Sequence, residues 1–166
     1  ELVREARARG IRVAVDSSGE PLAAAVAAGP NLIKPNHEEL AELVGRPLAT
    51  IGEVLDVARE LVAGGVETVV VSLGGDGALL VDTERAVHAV ATVTEPLSTV
   101  GAGDCLLAGV LHTLSIGGDP VTALQTGVLW GAAAVTLPGS QVPDPADLAG
   151  IPVALNHTPP RSRPLA

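Results

Sequence analysis

The chain has 166 residues, of which 47% are apolar and 17% are charged. This composition allows a folded core and excludes a disordered acidic chain, because such chains cannot bury enough apolar area to offset the entropy of ordering. Ten Lys and Arg residues against 19 Asp and Glu residues give a net charge of −9, and Trp130 is the one Phe, Tyr or Trp residue. We therefore expect no nucleic-acid partner, since such a surface needs clustered basic or stacking aromatic side chains.

Short apolar runs alternate with helical patterns in the first half of the chain. Residues 11–16 and 31–36 are short and apolar, as buried strands are. Helical spacing, each time closed by a glycine, covers residues 1–9, 21–28 and 37–44. Thr50 and Glu53 form a T-x-x-E capping box, which predicts a further helix that extends to about residue 63.

The second half continues this alternation. Residues 67–82 contain two apolar runs joined by a glycine-rich turn, and residues 86–90 resemble a strand. Two long helices are predicted, from about residue 101 to 116 and from 120 to 135. Residues 121–137 are interrupted by Gln and Gly and fall short of the roughly 20 apolar residues of a membrane span, so we expect no membrane association.

Repeated strand and helix alternation predicts an α/β fold with a mostly parallel central sheet over residues 1–150. The remaining segment, 151–166, is rich in proline and predicts a disordered tail, after a short helix near Pro145–Leu148. The single cysteine, Cys105, cannot form an internal disulfide, and no signal-peptide pattern is visible, which favours a cytoplasmic protein. The sequence lacks methionine and begins within a helical pattern, so we expect it to be part of a longer chain.

A T-V-G-A-G-D motif at Thr99–Asp104 precedes the first long helix of the second half. Glycines 101 and 103 allow an anion to approach the backbone, and the amides of the helix start point toward it. Asp104 stands beside this cradle, where it could accept a proton from a hydroxyl that attacks a phosphoryl group. The same residues also suit an ordinary glycine turn followed by an acidic first-turn residue.

An S-L-G-G-D-G motif at Ser72–Gly77 follows the apolar run that we expect to be a buried strand. Ligands collect at the carboxyl ends of parallel strands, and a glycine backbone can contact phosphate or ribose oxygens. The alternative is a tight hairpin turn, because Asp-Gly between apolar runs is the usual hairpin signal. The motif also resembles the GGDG of NAD kinases and diacylglycerol kinases, but those have Thr where Ala78 stands here.

An N-H-E-E motif at Asn36–Glu39 follows Lys34 and Pro35. Asn36 and Glu39 lie three residues apart at a predicted helix start, so their side chains could converge on hydrated Mg²⁺, which prefers oxygen ligands. The alternative is that Asn36 and Glu39 form a capping box and nothing more.

The three motifs in this order resemble the carboxyl-terminal half of the ribokinase-like, or PfkB, family of carbohydrate kinases. The matching segments are IKPNHEEL, VSLGGDGALLV and STVGAGD, and the resemblance covers about residues 11–140. The sequences of these segments are most similar to those of the branch that phosphorylates sugar phosphates, which includes 1-phosphofructokinases and tagatose-6-phosphate kinases. Ser98 stands where many family members carry Asp, and Cys105 where Ser or Thr is usual.

The resemblance implies a three-layer ribokinase-like fold, of which only the carboxyl-terminal portion is present. Asp104 would be the catalytic base, and Gly101, Ala102 and Gly103 would form the anion hole for the transferring phosphoryl group. Asn36 and Glu39 would organise Mg²⁺ through water. The ATP site would include Lys34, Asn36, Ser72, Gly74, Asp76, Gly77 and Val128.

This resemblance leads to the hypothesis of an ATP-dependent kinase that converts fructose 1-phosphate to fructose 1,6-bisphosphate. Tagatose-6-phosphate kinase and other ribokinase-like sugar kinases are the alternatives within the family. Because the family's amino-terminal half supplies most sugar contacts, a non-catalytic nucleotide-binding module is the alternative from another class. The expected partners are ATP with Mg²⁺, a small sugar phosphate and, for a dimer, a second copy of the chain.

Overall fold

The computed structural model describes residues 1–165, which form a sheet of six strands between two layers of helices. The strands are β1 (Ala14–Val15), β2 (Leu32–Ile33), β3 (Thr68–Ser72), β4 (Ala78–Val81), β5 (Ala86–Ala91) and β6 (Val153–Asn156). The helices are α1 (Leu2–Ala8), α2 (Gly19–Val26), α3 (His37–Val44), α4 (Ile51–Ala63), α5 (Ala102–Ser115) and α6 (Pro120–Val135), and a single 3₁₀ turn covers Gly74–Asp76. The predicted α/β class and three-layer arrangement are therefore confirmed.

The starts of the helices follow local hydrogen bonding. Thr50 at the start of α4 accepts from the Glu53 amide, and the Glu53 carboxylate accepts from the Thr50 amide, as the capping box predicted. Asp119 caps α6 by accepting from the amides of Val121 and Thr122. Helix α5 differs from these two, because its N-cap residue is Gly101 and no side chain caps it.

The sheet has the strand order β1-β2-β3-β4-β5-β6 and is mixed. β1, β2 and β3 pair in parallel, whereas β3, β4, β5 and β6 pair in antiparallel fashion. The prediction of a mostly parallel sheet is therefore wrong. Residues 73–77 and 82–85 are too short for the crossover that parallel neighbours need, so β3, β4 and β5 can only form hairpins.

Alternate residues of the central strands pack into two separate hydrophobic cores. Val69 and Val71 of β3 pack with Leu40 of α3 and with the inner face of α4. Val70 lies on the opposite face of the sheet and packs with residues of α5 and α6, such as Leu124. Strands buried on both faces explain the uninterrupted apolar runs of the sequence.

Helices α5 and α6 approach each other through glycines. A Cβ atom on Gly109 would lie 2.9 Å from the Cα of Gly127, and one on Gly127 would lie 2.7 Å from the Leu106 carbonyl oxygen. A Cβ on Gly131 would lie 3.0 Å from the carbonyl oxygen of Ala102, at the first turn of α5. This close packing fixes the start of α5 relative to the sheet.

The segment predicted to be a disordered tail is ordered as far as the structure describes it. β6 pairs with β5, and the segment that follows, residues 157–165, crosses the start of α4; we call it the C-terminal strap. The amides of Ile51 and Gly52 donate to the Arg163 and Arg161 carbonyl oxygens at 3.0 and 2.9 Å. The prediction of disorder is wrong because these backbone bonds and β6 pairing outweigh the proline content. Residues 145–148 form turns rather than the predicted short helix.

Candidate functional site

Polar residues follow the three parallel strands at one edge of the sheet. Asp16 comes directly after β1, Lys34 directly after β2, and Ser72 is the last residue of β3. Asn36 forms a parallel bridge with Ser72, and the Ser72 amide donates to the Pro35 carbonyl oxygen at 3.1 Å. The N-H-E-E and S-L-G-G-D-G motifs thus meet at the carboxyl edge of the sheet, where α/β proteins bind ligands.

Lys34 joins this edge to the start of α5. Its ammonium group lies 3.1 Å from Oδ2 of Asp16, and the side chains are 6% and 29% exposed. A Cβ atom placed on Gly103 would lie 3.4 Å from Lys34 Nζ. A buried cation therefore lies beside the first turn of α5, and the T-V-G-A-G-D motif belongs to the same cluster as the other two motifs.

The first turn of α5 presents backbone donors. Gly101 has φ +81°, a conformation that favours glycine, and the space where its Cβ would stand is open. The Ala102 amide donates to the Thr99 carbonyl oxygen at 3.3 Å, and the Cys105 amide donates to the Gly101 carbonyl oxygen at 2.9 Å. The amides of Gly103 and Asp104, which lie between them, have no acceptor within the helix. These amides and the helix dipole favour an anion.

Asp104 lies in this first turn and is exposed. The neighbouring Cys105 is buried, with 8% of the residue exposed. Burial raises the pKa of the Cys105 thiol, and the Asp104 carboxylate adds to that rise. The thiol is therefore protonated at neutral pH and is a packing group.

Asn36 and Glu39 form a complete capping box at the start of α3. Asn36 Oδ1 accepts from the Glu39 amide at 2.7 Å, and Glu39 Oε2 accepts from the Asn36 amide at 2.9 Å. The capping alternative is therefore what the structure shows. A carboxylate oxygen can accept more than one bond, so the cap leaves Glu39 chemically suited to hydrated Mg²⁺, which needs only one or two carboxylates. Asp16, which directly follows β1, is a second carboxylate at the carboxyl edge of the sheet.

The glycine-rich turn between β3 and β4 has an exposed and a buried side. Gly74 and Gly75 are exposed, and a Cβ on either would meet nothing within 4 Å. Asp76 is 4% exposed and forms an ion pair with Arg163 of the C-terminal strap. The hairpin alternative for this motif is confirmed, because β3 and β4 are antiparallel neighbours.

Comparison with known proteins identifies the family of this chain. The family model described as "pfkB family carbohydrate kinase" matches residues 1–147. The chain belongs to the pfkB family of carbohydrate kinases. The 1-phosphofructokinase of Rhodobacter capsulatus is 40% identical over 151 residues, which are 91% of this chain and 48% of the relative. The ATP-dependent 6-phosphofructokinase isozyme 2 of Escherichia coli is 40% identical over 144 residues, 86% of this chain and 47% of the relative.

Solved structures show the same fold. Phosphofructokinase-2 from Escherichia coli, crystallised with potassium, superposes with a TM-score of 0.85 at 40% identity, covering 89% of this chain and 48% of that protein. Ribokinase from Thermotoga maritima has a TM-score of 0.73 at 24% identity, which shows likeness of fold alone. The pfkB chain described here thus spans about half the length of the curated relatives it matches.

The structure brings together most of the residues that the sequence singled out, but Asp76, Gly77 and Val128 are exceptions. Asp76 was expected to contact the nucleotide, but its carboxylate is buried against Arg163 on the inner side of the turn. Gly77 also faces inward, since a Cβ there would lie 2.0 Å from the Ala89 carbonyl oxygen. Its glycine is explained by this packing rather than by a ligand.

Val128 and a cleft beside β6 lie apart from this cluster. Val128 is 5% exposed within the core between the sheet, α5 and α6, so its contact with an adenine base stays a prediction. A cleft of about 490 Å³ lies between the segment after β5 and the segment before β6, and its lining includes Thr92, Glu95 and Pro152. None of the clustered residues lines it.

Sequence reasoning missed Asp16 and Arg163. The V-A-V-D pattern placed Asp16 at the end of a strand predicted to be parallel, and that position was the available signal. Arg163 had no such signal, because its segment was expected to be disordered. Across residues 1–165, no group of three or more His, Cys, Asp or Glu side chains is arranged to hold a metal ion, and no helix is long and apolar enough to cross a membrane.

Proposed function

We propose that the chain carries the nucleotide-binding and base-bearing part of an ATP-dependent sugar-phosphate kinase, with residues 1–150 forming that part. The observation that carries the proposal is the position of Lys34 beside Gly103, at the uncapped start of α5. A buried ammonium and helix amides at one point form a phosphate site, and the exposed Asp104 carboxylate stands on the same turn.

Asp104 is the proposed base. The hydroxyl oxygen of the acceptor attacks the γ-phosphorus of ATP, the bond from that phosphorus to the β,γ-bridging oxygen breaks, and ADP leaves. Asp104 takes the hydroxyl proton. The step needs positioning and charge stabilisation more than covalent chemistry from the protein, which suits a site made of amides, one cation and one carboxylate.

The remaining residues hold the nucleotide. The first-turn amides of α5 and Lys34 donate to phosphate oxygens, and Gly74 and Gly75 let the backbone approach ATP without a side chain in between. Asn36 and Glu39, together with Asp16, would hold Mg²⁺ through water. When bound, Mg²⁺ neutralises phosphate charge, and the chain's own part is to fix the oxygen donors at the edge of β1 and β2.

The proposed acceptor is fructose 1-phosphate, phosphorylated at its C6 hydroxyl. Its support is that several relatives at about 40% identity are named 1-phosphofructokinase. Fructose 6-phosphate is a second candidate, because phosphofructokinase-2 of Escherichia coli is equally similar and has been crystallised with that sugar. Tagatose 6-phosphate is a third. The phosphofructokinase-2 of Escherichia coli has a tetrameric inhibited form. A homodimer of this protein stays a prediction.

A chimera tests the proposed chemistry. Residues 1–147 would replace the matching half of the Rhodobacter capsulatus 1-phosphofructokinase, and phosphoryl transfer from ATP would be measured. We expect turnover, and we expect Asp104→Asn to lower kcat by about 10²- to 10⁴-fold with little change in the Kd of ATP. Asp119→Asn is the matched control, since it alters another helix-start Asp and Asn is an equally good cap.

The outcomes separate the candidate functions. Normal turnover in the Asp104→Asn chimera would end the assignment of the base. ATP binding without turnover in the unmodified chimera would favour a non-catalytic nucleotide-binding module. A second chimera on the Escherichia coli isozyme 2 addresses the acceptor. If both chimeras prefer fructose 1-phosphate, residues 1–147 of this chain contribute to the choice of acceptor. If each chimera prefers the acceptor of the relative that supplies its other half, that other half makes the choice.

A further inference from the structure

The C-terminal strap reaches the glycine-rich turn that the proposed function assigns to ATP. Arg163 and Asp76 are separated by 87 positions in sequence, and the Arg163 guanidinium donates to Asp76 Oδ1. The side chain of Asp76 is 6% exposed and that of Arg163 is 46% exposed. A carboxylate buried to this extent needs a charged or hydrogen-bonded partner, and the strap supplies one.

The inner side of this turn is held by β5 as well. His88 Nε2 lies 2.7 Å from the Asp76 carbonyl oxygen, and His88 is 3% exposed. Gly77 packs directly on the Ala89 carbonyl oxygen. These contacts with β5 hold the backbone at the end of the turn. The C-terminal strap contacts the turn through the side chain of Asp76.

The position of Arg163 does not depend on the turn. Its carbonyl oxygen accepts from the Ile51 amide, and the Arg161 carbonyl oxygen accepts from the Gly52 amide, which satisfies two donors at the start of α4. The Leu165 amide donates to the Ala49 carbonyl oxygen at 3.0 Å. The strap is therefore anchored on α4 and presents Arg163 to the turn from a fixed frame.

We propose that Arg163 is a positioning residue for nucleotide binding: by holding Asp76 inward, it keeps Gly74 and Gly75 turned outward in the conformation that receives ATP. The inference rests on the proposed function, because it assigns ATP to the outer side of the turn. It makes the C-terminal strap a determinant of nucleotide affinity, although none of its residues belongs to the motifs of the site.

Arg161 provides a matched control. It lies in the same strap and also pairs with an aspartate, but its partner is Asp56 on α4, at 2.7 Å, with both side chains about half exposed. Arg161→Gln and Arg163→Gln each remove one positive charge from the strap. Only Arg163→Gln releases the turn.

The experiment measures ATP affinity in the presence of Mg²⁺ by calorimetry, and amide hydrogen exchange of residues 73–77, on the full chain. For Arg163→Gln we expect the Kd of ATP to rise about tenfold and exchange in the turn to accelerate, with Arg163→Lys partly restoring both. For Arg161→Gln we expect neither change. An unchanged Kd and unchanged exchange in folded Arg163→Gln would overturn the proposal, as would equal effects of the two variants.

A double variant covers the case in which Arg163→Gln does not fold. Asp76→Asn with Arg163→Gln removes both charges, so no unpaired charge stays buried. Weakened ATP binding in this folded variant supports the proposal, and the affinity of the unmodified chain would overturn it. If the unmodified chain does not bind ATP, the proposed function fails, and the nucleotide role of Arg163 fails with it. Faster amide hydrogen exchange of residues 73–77 in Arg163→Gln, and not in Arg161→Gln, would still show that the strap holds the turn.

Discussion

Lys34 Nζ lies 3.1 Å from Asp16 Oδ2, and this ion pair ties the end of β2 to the end of β1. The pair lies next to Gly103, so it also connects the sheet edge to the first turn of α5. Its burial is unequal, with Lys34 almost fully enclosed and Asp16 partly in contact with water. The ion pair is therefore both a structural link and part of the proposed phosphate site.

Asp16→Asn is expected to lower the free energy of unfolding by about 1–3 kcal/mol, because it leaves the Lys34 ammonium without its carboxylate. The loss is smaller than for a fully buried pair, since water reaches Asp16. Denaturant unfolding measures it. Glu5→Gln is the control, as it breaks the exposed pair with Arg9 and should cost less than about 0.5 kcal/mol. Equal stability of Asp16→Asn and the unmodified chain would contradict the structural link.

Glu39→Gln and Glu53→Gln test whether Glu39 does more than cap a helix. Both residues complete a capping box, at the start of α3 and of α4 respectively, and Gln serves that role nearly as well. We therefore expect each variant to keep its stability within about 0.5 kcal/mol. In the chimera, only Glu39→Gln should raise the Mg²⁺ concentration needed for half-maximal turnover. If both variants need the same Mg²⁺ concentration for half-maximal turnover, Glu39 serves only as a helix cap.

Gly75→Ala separates ligand approach from backbone strain. Gly75 is not among the glycines with positive φ, and an added Cβ would meet no atom within 4 Å. The melting temperature should therefore stay unchanged. The new methyl group projects into the space where ATP phosphates would lie, so the Kd of ATP should rise about tenfold. Calorimetry and thermal melting measure the two effects, and undiminished affinity would place the nucleotide elsewhere.

The Arg161 and Asp56 pair predicts a pH dependence of stability. The hydrogen bond from Arg161 lowers the pKa of the Asp56 carboxyl from its ordinary 3.8. A carboxyl with a lowered folded-state pKa stabilises the fold above its unfolded pKa, and this contribution is lost as the pH falls through the folded-state value. The gap in melting temperature between the unmodified chain and Arg161→Gln should thus be constant from about pH 7 to 5 and shrink toward about pH 3. If the difference in melting temperature persists or widens as the pH falls toward about 3, the Arg161 and Asp56 pair is not its source.

Local features of this protein were readable from the sequence. The capping boxes at Asn36 and Thr50 involve partners three residues away, and the Gly101 turn depends on a single backbone conformation. Such interactions form within one helical turn, so the residues that make them stand together in the sequence. The α/β class, the bounds of most helices and the three motifs followed from patterns of this kind.

The tertiary structure alone decided which segments meet and which way their side chains face. Asp76 pairs with Arg163, β5 pairs with a segment whose composition indicates disorder, and Lys34 lies between Asp16 and the first turn of α5. These contacts join positions far apart in the chain, and their free energy comes from burying charge and backbone groups against each other. A one-dimensional pattern does not record that burial, because it exists only once the sheet and both helix layers have come together.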